Sequence, residues 1–428
     1  MNVQVSLRKA NRLHGTLQPP GDKSLSHRGL LLGAMAQGTT ELLGIADGED
    51  VMSTQRCLQA MGVTVRRDGL RTVVIGAGLR GLQALREPLD CGNSGTTLRL
   101  LMGVLAGRPF SCELTGDASL LRRPMRRVAE PLERMGARIC LTNEAHGPVR
   151  IESGPQLSAI DFVLDVASAQ VKSAILLAAL RAQGTTRLTG QIGSRDHTER
   201  LLPHFGASID TCAERISLRG VQHLQAASLK IPGDPSSAAF WVAAACVVPS
   251  SRLVLNNVLL NPTRTGFFRV LQRMGASLEV AVTSCSPEVV GDLVCCGAAL
   301  HGVTVEAGEV PSMIDELPAL AVAATQACGR TEVRGAAELR LKETDRIEAM
   351  AENLRRMGAR IETFTDGFRI DGPQRLHGAP VDSFGDHRVA MAMAVAGLAA
   401  EGETCIEGAE AVDVSYPDFF RALAQVIR

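Results

Sequence analysis

The sequence predicts an α/β protein of two domains, each assembled from small repeated units of helix and strand. Three observations carry that expectation. The chain has 428 residues, more than one hydrophobic core usually organises, so two domains are expected first. An amphipathic helix, then Met-Gly-Ala or a close variant, then a strand recurs at 57–63, 131–137, 201–207, 270–276 and 353–359. A turn-rich break, Ile231-Pro232-Gly233-Asp234-Pro235, separates these repeats into two groups.

Taken in order, Met1–Lys9 has no apolar segment of the kind a signal peptide carries. Next, Pro20-Gly21-Asp22-Lys23-Ser24-Leu25-Ser26-His27-Arg28 gathers a Lys, an Arg, a His and two hydroxyls just after a Pro-Pro-Gly turn. Gly29–Ala36 behind it reads as a buried helix, so donors and cations stand at a helix start, where an anion is favoured. His27 gains no role from this reading and is left either as a structural residue or as one that supports the site from behind. In each repeat the Gly suits a helix C′ position, where a left-handed backbone costs it little. The residues after each Gly alternate as a strand does, as in Ser277-Leu278-Glu279-Val280-Ala281-Val282.

The repeat glycines stand at 62, 136, 206, 275 and 358, at intervals of 74, 70, 69 and 83, and a sixth helix, Phe419–Arg428, ends the chain. That period is too long for a solenoid, so each unit is a small subdomain. Three and three, the units make two domains: 21–232, and 1–20 with 233–428, the chain crossing near 20 and near 233. A ligand site between domains would place the Lys23 stretch at its mouth.

Composition excludes several function classes. With 45 basic and 45 acidic residues, one Trp and one Tyr, the chain has no charge excess for nucleic acid or an anionic membrane, and no base-stacking surface. Its most apolar runs, Ala238–Val248 and Val389–Ala400, fall short of the roughly 18–20 residues a bilayer needs and read as core helices. Eleven Cys without CxxC spacing read as buried reduced thiols, with neither disulfides nor a zinc site, and a cytoplasmic location is expected. Three motifs are set aside. Gly76-Ala77-Gly78-Leu79-Arg80-Gly81 matches GxGxxG, but Pro88 cuts short any helix and 96–102 holds no acid, so it reads as a turn after a strand. Gly21-Asp22-Lys23-Ser24 has Asp where a Walker loop needs Gly. Asp196-His197-Thr198-Glu199 has no zinc spacing and reads as a solvated helix start.

The remaining motifs carry chemistry. Asp90-Cys91-Gly92-Asn93-Ser94-Gly95-Thr96-Thr97-Leu98-Arg99 is a small polar loop entering a helix, fit either to cradle phosphate or simply to cap. Arg122-Arg123-Pro124-Met125 offers an Arg pair, and Ser168-Ala169-Gln170-Val171-Lys172-Ser173 opens another apolar helix. Asp315-Glu316-Leu317-Pro318, Lys342-Glu343-Thr344-Asp345-Arg346 and Asp386-His387-Arg388 set acids beside cations. Each alone also reads as a solvated face or an ion pair. In this order, across almost the whole chain, the set closely resembles the 5-enolpyruvylshikimate-3-phosphate synthase family.

The resemblance implies a two-domain inside-out α/β barrel, the enolpyruvyl transferase fold. It would have six βαβαββ repeats, three per domain, with helices inside and sheets outside. The implied enzyme uses no metal or cofactor and is a monomer without nucleic-acid or membrane partners. Its substrates are phosphoenolpyruvate and shikimate 3-phosphate, in aromatic amino acid (chorismate) biosynthesis. The 5-hydroxyl of shikimate 3-phosphate adds to C2 of phosphoenolpyruvate while C3 is protonated. The tetrahedral intermediate then loses phosphate as C3 gives its proton back. Such chemistry needs acid and base groups and clustered cations. Two phosphates at about −1.5 to −2 each, with two carboxylates, bring roughly −5 to −6. Lys23, Arg28, Arg123, Arg195, Lys342, Arg346 and Arg388 can balance that.

By resemblance, Lys23, Ser24, Arg28, Ser168, Ala169 (through its backbone), Gln170, Arg195, Asp315 and Lys342 bind shikimate 3-phosphate. Lys23, Asn93, Gly95, Thr96, Arg123, Gln170, Arg346 and Arg388 bind phosphoenolpyruvate. Asp315, Glu343 and Lys23 are the catalytic set, Asp315 toward the 5-hydroxyl and Glu343 at C3, with the proton transfers divided among the three. Two departures stand out. Ala169 replaces a Ser common in the family, and Asp413-Val414-Ser415-Tyr416-Pro417 lacks a Lys that some members carry there. The related transferase acting on UDP-N-acetylglucosamine usually bears a reactive Cys five residues before the Arg-Pro, where this chain has Ala118. A noncatalytic polyanion binder would gain nothing from buried Asp315 and Glu343. A repeat-related RNA 3′-phosphate cyclase would need a nucleotide site, and none is evident.

Overall fold

The computed structural model describes residues 3–84 and 87–428; Met1 and Asn2, at the start of the 1–20 segment, lie outside it with Leu85 and Arg86. The repeat glycines take the backbone their position asks of them. Gly62, Gly136, Gly206, Gly275 and Gly358 have φ between +82° and +101°, the left-handed region where a side chain is strained. Each reverses the chain out of a helix and into the next hairpin.

Among the described residues five of the six sheets share one pattern. A first strand pairs in parallel with a second across a buried helix, because parallel neighbours need a crossover. The second strand then pairs antiparallel with one arm of a hairpin. Leu89–Asp90, Cys112–Thr115, His146–Glu152 and Arg138–Thr142 show the order, and Asp161–Leu164, Thr185–Gly190, Ile216–Arg219 and Ile209–Thr211 repeat it. Five sheets have four strands. Among the described residues the sixth has three, in which the strand Gln4–Arg8 pairs antiparallel with Glu403–Glu407.

Contacts divide the chain into two compact units, Gly21–Ile231, and Met1–Pro20 with Pro232–Arg428. The crossings exchange first strands. His14–Leu17, just before the first crossing, pairs with Arg252–Leu259, while Ser228–Lys230, just before the second, pairs with Gln37–Leu43. Inside Gly21–Ile231 lie α1 (Lys23–Met35) and α3 (Gly95–Leu105), with the helix Ala169–Ala179, all buried along most of their length. The other unit buries Pro235–Val247, Leu317–Gln326 and His387–Ala399 in the same way. Helices apolar all round have no face to give to water, so the sheets take the outside. Between α1 and α3 runs α2 (Glu49–Ala60), which is amphipathic.

Among the described residues no helix is long and apolar enough to cross a membrane. All eleven thiols are free, but Cys140, Cys212, Cys285 and Cys328 are exposed. The expectation of buried thiols fails for these four, which sit in or beside strands whose outer faces meet water.

Candidate active site

In the unit Gly21–Ile231 the three buried helices begin with side-chain caps. Asp22 accepts from Leu25 N at 2.7 Å, Ser94 from Thr97 N at 3.1 Å and Ser168 from Val171 N at 3.4 Å. Each N-terminus carries partial positive charge, and the expected side chains cluster at these three ends. Lys23 Nζ lies 2.7 Å from Asp50 Oδ2, and Ser24 beside it is half-buried. One turn on, buried Arg28 donates through Nε to Thr198 Oγ1 (2.8 Å), through Nη2 to Ser173 Oγ (2.7 Å) and through Nη1 to Ser24 O (3.0 Å).

At the start of α3, Arg123 Nη2 donates to Asn93 Oδ1 at 2.6 Å, and Asn93 Nδ2 to Asp117 Oδ2 at 2.6 Å. A Cβ on Gly95 would come 3.0 Å from Arg99 Nη1 and 3.4 Å from Arg123 Nη1. Gln170 joins two helices: its Oε1 accepts from Arg99 Nη1 at 2.6 Å and its Nε2 donates to Thr96 Oγ1 at 3.0 Å. Ala169 opens its helix half-buried. Arg195 occupies the bend between the strand Thr185–Gly190 and the helix His197–His204. That bend is held by buried Lys172, whose Nζ reaches Ile192 O (2.9 Å), Ser194 O (3.0 Å) and Glu199 Oε1 (2.6 Å).

The other unit concentrates acids and cations around Arg346, which is 2% exposed. Arg346 Nε meets Asp386 Oδ2 at 2.7 Å, Nη1 meets Asp315 Oδ1 at 3.1 Å and Nη2 meets Glu343 Oε2. Burial pulls the guanidinium down, but Asp386, Glu343 and Asp315 more than offset it, and its pKa is raised. Asp315 is also approached by Lys342 Nζ at 3.4 Å and Arg388 Nη2 at 3.6 Å, while Arg388 Nη1 donates to Asp315 O at 3.2 Å. Asp386 doubles as the cap of its helix, accepting from Arg388 N at 2.8 Å. Behind Asp315, Glu316 accepts from Ser236 Oγ, itself held by Arg264 Nη2 at 2.9 Å. Among the described residues no group of three His, Cys, Asp or Glu is placed to hold a metal ion.

Asp315, Lys342, Glu343, Arg346 and Arg388 therefore share one cluster in their unit, and Lys23, Arg28, Asn93, Thr96, Arg123 and Gln170 another in theirs. Sequence reasoning missed Asp50, Arg99, Lys172, Ser173, Thr198 and Glu199 as their partners. The reading of Asp196–Glu199 as a solvated helix start is wrong: His197, Thr198 and Glu199 are buried, and two of them hold Arg28 and Lys172. Asp50 had a legible signal, for Asp50, Ser53, Thr54 and Cys57 fall at i, i+3, i+4 and i+7 on α2, a polar stripe on a buried face. His27 is fully buried, with Nδ1 2.7 Å from Thr54 Oγ1. Burial, then Lys23 and Arg28, hold its ring well below the ordinary imidazole value.

The sequence profile of EPSP synthase (3-phosphoshikimate 1-carboxyvinyltransferase) matches residues 7–423. A 3-phosphoshikimate 1-carboxyvinyltransferase of Bacillus cytotoxicus is 45% identical over 424 residues, covering 99% of this chain and 100% of that protein. One from Bacillus thuringiensis subsp. konkukian is 46% identical over 419 residues, covering 98% of each. Among solved structures, an EPSP synthase from Acinetobacter baumannii superposes with a TM-score of 0.89 at 41% identity, over 100% of this chain and 98% of that one. By profile, by relatives and by fold, the chain belongs to the EPSP synthase (3-phosphoshikimate 1-carboxyvinyltransferase) family.

Proposed function

We propose that this chain transfers the enolpyruvyl group of phosphoenolpyruvate to the 5-hydroxyl of shikimate 3-phosphate, releasing inorganic phosphate. The observation that carries the reading is the Arg346 cluster, where Asp315 and Glu343 share one buried cation. Two carboxylates held apart on one guanidinium suit two separate proton transfers. Asp315 takes the proton of the attacking hydroxyl; Glu343 delivers a proton to C3 and later removes one. Arg346 and Arg388 hold the phosphoenolpyruvate carboxylate.

At the three helix N-termini, Lys23, Arg123 and the segment Asn93–Thr96 hold the phosphoenolpyruvate phosphate, and Gln170 lies between the two ligands. Ser24 and Arg28 hold the shikimate carboxylate, while Ser168, the Ala169 backbone and Arg195 hold its phosphate, with Lys342 reaching the same substrate. Preorganised donors of this kind stabilise charge as it develops, and Lys23 assists the departing phosphate. The enzyme works as a cytoplasmic monomer on two small molecules, without a nucleic-acid or membrane partner.

The test is phosphate release with each substrate omitted in turn, and with UDP-N-acetylglucosamine as the acceptor. Release is expected only when phosphoenolpyruvate and shikimate 3-phosphate are both present. Equal turnover on the sugar nucleotide would sink the assignment.

A further inference from the structure

The polar stripe of α2 has a partner along its whole length, and that partner is the loop entering α3. The Asp50 carboxylate holds Lys23 Nζ at 2.7 Å, while its carbonyl accepts from Thr97 Oγ1 at 3.2 Å. Three residues on, Ser53 meets Gly92 so closely that a Cβ on Gly92, whose φ is +58°, would stand 2.9 Å from Ser53 Oγ. Thr54 Oγ1 lies 2.7 Å from Thr97 Oγ1, and Cys57 Sγ lies 3.4 Å from Asp90 O. His27 of α1 backs the stripe through Thr54.

The hydrogens in this chain run one way. Thr97 has one hydroxyl proton and gives it to Asp50 O at 3.2 Å or to Ser94 Oγ, the cap of α3, at 2.8 Å; in both arrangements it accepts from Thr54, and Thr54 then accepts from His27, which carries its proton on Nδ1. A chain that runs from His27 through Thr54 to Thr97 ends beside the two things a bound phosphate would touch: Lys23, held by the Asp50 carboxylate, and the α3 loop.

We propose that Thr54, with His27 behind it and Thr97 before it, is a positioning residue that sets Lys23 and the loop Cys91–Thr97 in register for phosphoenolpyruvate. This rests on the assignment of Lys23 and Asn93–Thr96 to that substrate. Thr54→Val keeps the shape and removes the hydroxyl, and Thr54→Ser keeps the hydroxyl. In the full chain, Thr54→Val is expected to raise the KM for phosphoenolpyruvate about tenfold, as losing one hydrogen bond would, with the Kd for shikimate 3-phosphate alone within about twofold. Thr54→Ser is expected to stay near wild type on both.

A phosphoenolpyruvate KM within about twofold of wild type, or an equal loss on both substrates, overturns the proposal. Should Thr54→Val fail to fold, His27→Leu against His27→Asn makes the same contrast, since the Asn amide can donate from the place of Nδ1. If wild type turns over neither substrate, the functional reading fails by itself. Amide exchange then decides the positioning role: faster exchange at 94–97 in Thr54→Val, with 170–173 unchanged, supports it, and unchanged exchange at 94–97 overturns it.

Discussion

Glu343 and Asp315 share Arg346, yet a change at either side chain should read out differently from a loss of substrate grip. Glu343→Gln keeps the size and a hydrogen-bonding oxygen but cannot shuttle a proton. Turnover is expected to fall about 10²–10⁴-fold, with the Kd for shikimate 3-phosphate within about twofold. Steady-state rates beside calorimetry check it, and unchanged turnover would remove Glu343 from the mechanism. His27 makes a second prediction, through pH. Its folded pKa is depressed below 6.5, so the unfolded chain takes up the proton first as pH falls. The stability tied to this ring is fully present above 6.5 and is lost as pH drops toward the depressed value. Urea unfolding at about pH 7.5 and about pH 5.5 should show a larger loss for wild type than for His27→Asn. Lys23, Glu343 and Arg346 were legible because each lies inside a short run dense in chemistry. Thr198 was not, since its role depends on a partner 170 residues away.

The C-terminal end of α3 shows what a helix needs when its last carbonyls are buried. Arg108 donates from Nε to Val104 O at 3.1 Å and from Nη1 to Leu79 O at 2.6 Å. Arg181 donates to Ala106 O at 3.1 Å and Gly107 O at 3.2 Å. Two cations thus sit where the helix dipole is negative and carbonyls would otherwise be orphaned. Arg108→Leu strips the buried Val104 carbonyl and the half-buried Leu79 carbonyl of their donor and is expected to cost roughly 1–3 kcal/mol in urea unfolding. Leu79 belongs to the GxGxxG stretch, which is a turn after the strand Arg71–Ala77, so the expectation of a turn was right. The reason for Leu79's contact was not readable, because a carbonyl leaves no trace in the alphabet of side chains. Repeat helices were easier, for the Gly at each end marks a backbone that few other residues tolerate.

Gly21–Ile231 completes its own sheets, since Ser228–Lys230 closes on Gln37–Leu43. That segment expressed alone is expected to give helical far-UV circular dichroism and one cooperative urea transition; a gradual, non-cooperative loss of signal would refute it. Deleting residues 1–20 from the full chain should do the reverse and weaken the other unit, whose strands Arg252–Leu259 and Glu403–Glu407 lose partners. The repeat and the break near 231 made two groups of units legible, but not the exchange of strands, because a parallel pair records nothing in either sequence about which partner it takes. The exchange fixes an order of events at the ribosome. Gln4–Arg8 leaves the tunnel before the whole segment Gly21–Ile231, yet its partner Glu403–Glu407 is made long after that segment. At about 5–20 residues per second, that strand waits on the order of tens of seconds with its edge unpaired. Over the same interval the inserted segment has everything it needs to fold. A strand made before the inserted segment therefore finds its place after it.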